Sequence, residues 1–344
     1  MNYKWLARRL ASALIAIFAT IVISWALLEF SPYSPANYIM QFINPQDFAT
    51  KPGLYVSLEQ YLNTLRPHGN PFINAINYIG NVLHGNLGVS IVTDVPVATI
   101  IAAALPWTLF IVTTSILISF FLGIRLGQKL AYIRGSKTDS ISTVSLSILR
   151  AVPVYVYAAL LVFTLGFIYH VFPTGGAFSP NINPVFESPF VGSGFHHDIV
   201  FIASILYHAF LPIVTLTIIN LVGWILHMRA NTISVLGEDF VNFAEIAGVK
   251  KDIIESKFIG KNAILPLYTS LIIAIGFSFG GSLFVEQTFS YPGVGDLLIT
   301  AITSNDYPTE MGVFIILIVA VIVGNLIADL TYSFLDPRAK VGEE

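Results

Sequence analysis

The sequence predicts an all-α integral membrane protein with six spanning helices. Three observations carry this. Apolar residues make up 55% of the 344-residue chain and charged residues only 11%, against roughly 25% charged in a soluble domain. Mean hydropathy is +0.75. The apolar residues gather into six long stretches with almost no charge, each near the roughly 20 residues that a spanning helix needs. A chain so poor in charge cannot cover a water-facing surface; lipid can solvate it. Net charge is −3, so no basic patch suggests a nucleic-acid partner. Cysteine is absent, which excludes disulfides, thiolate metal sites and cysteine nucleophiles.

The first span runs from Leu10 to Leu28 behind Lys4, Arg8 and Arg9. Its apolar run exceeds the roughly 7–15 residues of a signal-peptide core, so an uncleaved helix is expected. The second runs from Val95 to Ile124. The third covers Ile141 to about Phe172, interrupted by Arg150. The fourth is Ile199–Met228, the fifth Asn262–Val285 and the sixth Met311–Ala328. Pro106 and Pro153 fall in spans, where neighbouring helices can satisfy the freed carbonyls. Ser31 to Asp94, rich in Pro, Asn and aromatics, is expected to hold short surface helices; Pro173 to Asp198 reads as a loop. Fourteen of the 17 basic residues fall in the N-terminal segment, the loops after spans two and four, and the tail with Arg338 and Lys340. That asymmetry predicts cytoplasmic termini in a multi-pass plasma-membrane protein. Trp5, Trp25, Trp107 and Trp224 fall near predicted helix ends, as interfacial anchors do.

The loop from Arg229 to Lys261 is too polar to span and too regular for a linker. Asp239 to Ala247 favours a short helix. Gly248 can take the left-handed conformation that ends one. Lys250 to Asn262 then starts a second helix leading into span five. Helix, glycine turn and helix make a projecting knob. Its apolar side chains, Phe240, Val241, Phe243, Ile246 and Val249, cannot all pack on so short an element. Several are expected to fill a partner's groove, as the apolar face of an amphipathic helix does.

Ala244, Glu245, Ala247 and Gly248, followed by Ile264, Leu265 and Pro266, resemble the EAA loop of ATP-binding-cassette import permeases. Leu236 to Val241 precedes it as in the B-type permease subunit of dipeptide/oligopeptide importers. Glu286, Phe289, Pro292, Gly293 and Gly295 are similar to that family's Glu-x-x-Phe-x-x-Pro-Gly-x-Gly signature. Gly85 to Ser90, Asp306-Tyr307-Pro308 and the segment from Asn325 to Arg338 also resemble it, so the likeness covers nearly the whole chain. Asn242, Glu245 and Ile246 stand where the loop is usually more basic, and Arg150 where an apolar or small residue is usual.

The resemblance implies six helices of the type I ABC importer kind with a cytoplasmic coupling helix. It implies residues 1–98 as a first helix plus external segment, 99–338 as a permease core containing the coupling loop 229–264, and 339–344 as a tail. The function implied is half of a translocation pathway for oligopeptides, with oligosaccharides as the alternative cargo. Implied partners are a second homologous permease in a heterodimer, two cytoplasmic ATPases that bind ATP and Mg, and an extracellular or periplasmic solute-binding protein. Asp239, Phe240, Phe243, Ala244, Glu245, Ala247 and Gly248 are the expected contacts to the ATPase.

Other constellations are weaker. Gly135-Ser136-Lys137-Thr138 and Gly260-Lys261-Asn262 do not form a phosphate loop, so no cofactor is expected in this chain. His196-His197-Asp198 lacks metal-ligand spacing and reads as a solvated cap. Neither a nucleophile motif nor a carboxylate pair suggests an enzyme. An ion-coupled secondary transporter would place carboxylates at the midplane and show inverted repeats, and neither is visible. Charged residues in spans are functional candidates by default. Glu29 and Glu286 lie at outer ends, where capping or hydration is expected. Arg150, roughly 13 Å into a straight span, either pairs with Asp329, snorkels or faces cargo. Arg150, Glu286 and Asp329 are thus the candidates for the pathway or its gate. His208, Asn220 and Asn325 suit interhelical hydrogen bonds.

Overall fold

The computed structural model describes residues 3–29, 70–179, 195–277 and 283–335. Apart from one isolated bridge between Val89 and Pro96, every regular element among these residues is helical. Five helices are long and apolar enough to cross a membrane, and a sixth crossing follows if one bent pair counts as a span. Several expectations lie outside the described residues: most of the segment from Ser31, residues 180–194, and the tail with Arg338 and Lys340. The side chains of Lys4, Trp5, His196, His197, Asp198 and Asp329 also lie outside them.

Helix α1 (Tyr3–Glu29) is the first span. A short helix α2 (Pro71–Leu83) follows, with the Asn70 side chain accepting from the Phe72 N–H and proline at its first position. Both features are expected at a helix start, where backbone donors lack partners. α3 (Val97–Tyr132) has 36 residues. At 1.5 Å per residue it is about 54 Å long, well beyond a hydrocarbon core of about 30 Å. α6 (Phe195–Leu236) is longer still, at 42 residues, and packs on α3 more extensively than any other helix pair. The seam is possible because Gly123 and Gly127 lie one turn apart on α3. A Cβ on Gly127 would stand 2.5 Å from the Ile225 carbonyl oxygen and 2.7 Å from Met228 Cβ. Such small-xxx-small spacing lets membrane helices approach closely.

The predicted third span is not one straight helix. α4 (Lys137–Ala151) and α5 (Val154–Leu161, continued by the π-helical turn Val162–Ile168) meet at 89°. The cause is local. Pro153 has no N–H to continue the ladder, and it forces Val152 into an extended conformation, with ψ at 127°. The Tyr157 hydroxyl donates to the Leu149 carbonyl freed by the break, at 2.8 Å.

After α6 come α7 (Asp239–Ile246) and α8 (Lys261–Phe277), joined through a single turn and a π-helical segment, Ile254–Gly260. α8 is described as far as Phe277, and Val285, expected at the end of the fifth span, lies in the short helix α9 (Leu283–Thr288). α10 (Val294–Thr303), too short to cross, and α11 (Tyr307–Leu335) complete the fold. The knob end of the bundle is where α7 projects; the opposite, far end carries α9 and α10. Trp224 is not an interfacial anchor. It lies within α6, buried against Phe120 with the rings edge-on at 5.1 Å.

Candidate functional site

The projecting element at the knob end is α7, and its two faces differ. Val241 and Ala244 are buried against Ile254, Ile259, Leu236 and Phe258. Phe240, Phe243 and Ile246 face outward, with Phe243 73% and Ile246 86% exposed. The expected surplus of apolar side chains is therefore present, but Val241 and Val249 turn inward with Ala244. Ala244 sits inside the knob and cannot touch a partner. Ile246, which motif matching left out of the contact set, is the most exposed apolar side chain on α7. Asp239, Glu245, Ala247 and Gly248 are exposed.

Gly248 ends α7 with φ at +73°. Its N–H bonds the Glu245 carbonyl at 3.0 Å and the Val249 N–H bonds the Ala244 carbonyl at 3.1 Å, the pair that closes a Schellman cap. No atom lies within 4 Å of where a Cβ would stand. The glycine is required by backbone conformation, not by crowding.

One contact ties the knob to the bundle, and a second ties α4 to α6 beside it. In the π-helical segment the Glu255 carbonyl accepts from Gln128 Nε2 at 3.0 Å and from the Tyr132 hydroxyl at 3.3 Å, both on α3. Arg229 on α6 forms a two-pronged pair with Asp139 on α4, each N–H···O at 2.7 Å. Asp139 is buried and also accepts from the Gly135 N–H at 3.0 Å. A bidentate, half-buried pair of this kind has a fixed geometry that an exposed ion pair lacks. Sequence reasoning missed it; the available signal was one aspartate in an otherwise basic loop. It also missed the Gly123–Gly127 spacing, which is a readable motif.

At the far end, the motifs that looked separate in sequence meet around two carboxylates. Glu286 is fully buried, and it acts as the local cap expected of it. Its oxygens accept from the Thr108 hydroxyl at 3.0 Å, the Gly295 N–H at 2.7 Å and the Asp296 N–H at 3.3 Å. It therefore caps the N-terminus of α10, where a negative charge also complements the helix dipole. Thr108 in turn accepts from the Val294 N–H at 2.8 Å. A Cβ on Gly295 would stand 2.7 Å from Leu283 Cα, and one on Gly293 would press into the Glu286 carboxylate. The spacing of glutamate and glycines in the signature is thus the geometry of one carboxylate-closed turn. Tyr291 completes it, fully buried with its ring edge-on to Trp107 at 5.9 Å. Burial also pushes the Asp296 carboxyl above its ordinary range.

Asp306 forms the second closure. It is buried and accepts from Ser90 Oγ at 2.5 Å, the Ile91 N–H at 3.1 Å and Thr309 Oγ1 at 2.7 Å. The turn before α3 is thereby fastened to the start of α11.

Arg150 is exposed in the last turn of α4, beside the 89° bend, so the depth inferred from a straight span does not apply. α4 packs on α6. The side chain of Asp329 lies outside the described residues. His208 is buried on α6, with Nδ1 2.8 Å from the Ser204 carbonyl of its own helix.

The chain matches the family described as the binding-protein-dependent transport system inner membrane component over residues 115–341, more than half its length. It is 28% identical over 335 residues to the oligopeptide transport system permease protein AppB of Bacillus subtilis, covering 97% of this chain and 98% of that one. It is 25% identical over 344 residues to the dipeptide transport system permease protein DppB of Escherichia coli, covering 98% of each. A putative peptide permease of Brucella ovis is 28% identical over 339 residues, 98% of this chain and 99% of its own. The motifs that the two far-end carboxylates tie together and the helix–glycine–helix knob lie on a helical membrane bundle that matches along its whole length, and the chain belongs to the family of binding-protein-dependent transport system inner membrane components.

Proposed function

We propose that this chain is one of two permease subunits of an ATP-driven importer for oligopeptides, and that α7 is where the ATPase docks. The observation that carries the docking role is the exposure of Phe243 and Ile246 on a helix whose other face is locked into the bundle. An apolar pair held out on a braced element suits a partner's cleft. The names of the relatives support peptides as cargo. In this reading the knob end is cytoplasmic, as the basic residues clustered there favour, and a binding protein delivers cargo at the far end. ATP hydrolysis belongs to the partner subunits. The chain itself contributes a pathway and a lever, without a catalytic step. Closure of the ATPases moves α7, and the π-helical segment and the Asp139–Arg229 pair pass that movement to α3, α4 and α6. The resulting rocking exposes the pathway to each side in turn.

The test is uptake of a labelled peptide by vesicles carrying the assembled transporter. Phe243→Ala with Ile246→Ser is expected to lower ATP-dependent uptake at least ten-fold, because truncating an anchoring aromatic costs about 2 kcal/mol or more at an interface. Abundance and melting temperature of the chain should stay at wild-type values, since neither side chain packs in the knob. Gly248→Val should also lower uptake, through the roughly 1–2 kcal/mol that a left-handed conformation costs a residue with a Cβ. Wild-type uptake by both variants would remove the docking assignment. Uptake driven by an ion gradient without ATP would remove the importer reading itself.

Orientation has its own check. Because the natural chain lacks cysteine, Ser256→Cys at the knob end should react with an impermeant thiol reagent only from the cytoplasm. Asn77→Cys on α2 should react only from the opposite side. The reverse pattern would invert the proposed topology.

A further inference from the structure

A groove of about 160 Å³ separates α1 from α11, lined by Arg9, Ser12, Ala13, Ala16, Ile322, Asn325 and Leu326. Neither the docking site nor the carboxylate-closed turns use it. Its position is informative. Arg9 is the third residue of the apolar stretch Ala7–Leu27, and Asn325 is the third from the end of Tyr307–Ile327. α1 enters the membrane where α11 leaves it, so both polar residues stand at the same headgroup level, at the knob end.

The lining changes with depth. Arg9, Ser12 and Asn325 mark the shallow end. Ala16 lies about 10 Å deeper along α1, and Ile322 about 4.5 Å deeper along α11, at 1.5 Å per residue. The small side chains of Ala13 and Ala16 leave the space; Ile322 gives it an apolar wall. A cation and an amide at the interface, above an apolar slot, match a molecule with an anionic head and a hydrocarbon tail. A soluble anion would find no use for the slot, and a zwitterionic lipid, whose own cation offsets its phosphate, gains less from the arginine. Arg9 already makes an interaction within the chain, but a guanidinium carries five donors, so a phosphate can be accepted beside it.

We propose that the groove between α1 and α11 binds one anionic phospholipid, with its phosphate on Arg9 and Asn325 and an acyl chain along Ala13, Ala16 and Ile322. The lipid would fill the seam between the first and last spans and hold them together. Basic pockets between membrane helices at the headgroup level recognise such lipids by charge.

The test uses the full chain purified in neutral detergent, with dioleoyl phosphatidylglycerol and dioleoyl phosphatidylcholine as probes. Native mass spectrometry counts retained lipid, and melting temperature reports its effect. The wild type should retain phosphatidylglycerol about five-fold more than phosphatidylcholine, the factor expected of one cation near a membrane surface. Arg9→Gln should abolish that preference. Arg8→Gln, at an exposed position outside the groove, should keep it. Lys4 and Arg8 remain in the Arg9 variant, so insertion is preserved. Ala16→Phe fills the deep end while leaving the charge, and should lose the retained lipid too. Equal retention of both lipids, or an unchanged preference in Arg9→Gln, would overturn the proposal. So would a thermal shift reproduced by inorganic phosphate alone, which would mean a free-anion site. Loss of the lipid when a partner permease chain co-purifies would assign the groove to protein contact instead.

Discussion

Gly127→Val is expected to leave almost no folded chain in the membrane. The α3–α6 pair is the most extensive helix contact in the bundle, and at Gly127 the nearest neighbours of a new Cβ are the Ile225 carbonyl oxygen at 2.5 Å and Met228 Cβ at 2.7 Å. Neither is the free end of a flexible side chain. Two helices must separate to admit the methyl groups, and overpacking of that kind costs about 1–3 kcal/mol even in forgiving cores. The loss here exceeds that range because separation along the seam also loosens Phe120, two turns away on α3, from Trp224. Gly223 on α6 is the control: it has nothing within 4 Å of its would-be Cβ. Gly223→Ala should therefore be neutral. Membrane yield and melting temperature in detergent give the comparison. Equal melting temperatures for Gly127→Val and the wild type would mean that the seam does not hold the bundle.

Glu286→Ala carries the second large effect. It strips acceptors from the Thr108 hydroxyl, the Gly295 N–H and the Asp296 N–H at once. Leaving a buried donor unsatisfied costs about 1–3 kcal/mol, so a total of several kcal/mol is expected from three. Glu286→Gln should fall between, because its amide oxygen can still accept while its NH₂ group meets donors. Thr108→Val removes one donor to the carboxylate and the acceptor of the Val294 N–H. It should be milder than Glu286→Ala, and the two changes together less than additive, since they share one network. A denaturation series on the four chains tests this order. Full uptake with wild-type stability in Glu286→Ala would show that the carboxylate does not hold the far end together.

The spans were readable because lipid imposes a simple rule: a helix that crosses it must be apolar over its length. The knob was readable for an equally local reason, since Gly248 ends α7 through its own φ of +73°. The two departures in the spans have local causes that the composition hid. Pro153 counted as a tolerated proline inside a run, yet it turns α4 from α5 by 89°. Trp224 counted as a boundary residue because the fourth span was cut at Met228, whereas α6 continues to Leu236 and buries it.

The distant partners of the charged residues were not readable. Glu286 meets Thr108 across 178 positions, Asp306 meets Ser90 across 216, and Arg229 meets Asp139 across 90. Seen alone in an apolar run, a carboxylate such as Glu286 suggests a transport site, because its charge seems uncompensated. Folded, its charge is met by backbone N–H groups that every sequence possesses, and only their placement makes them donors to it. By itself the sequence determined the membrane class, the number of apolar stretches, the charge asymmetry between loops and the existence of the knob, each of which depends on composition or on neighbouring residues. The tertiary structure alone decided which side chains of the knob face outward, how the third apolar stretch bends in space, and that Glu286 and Asp306 close turns, because burial and hydrogen bonding depend on what distant segments bring alongside.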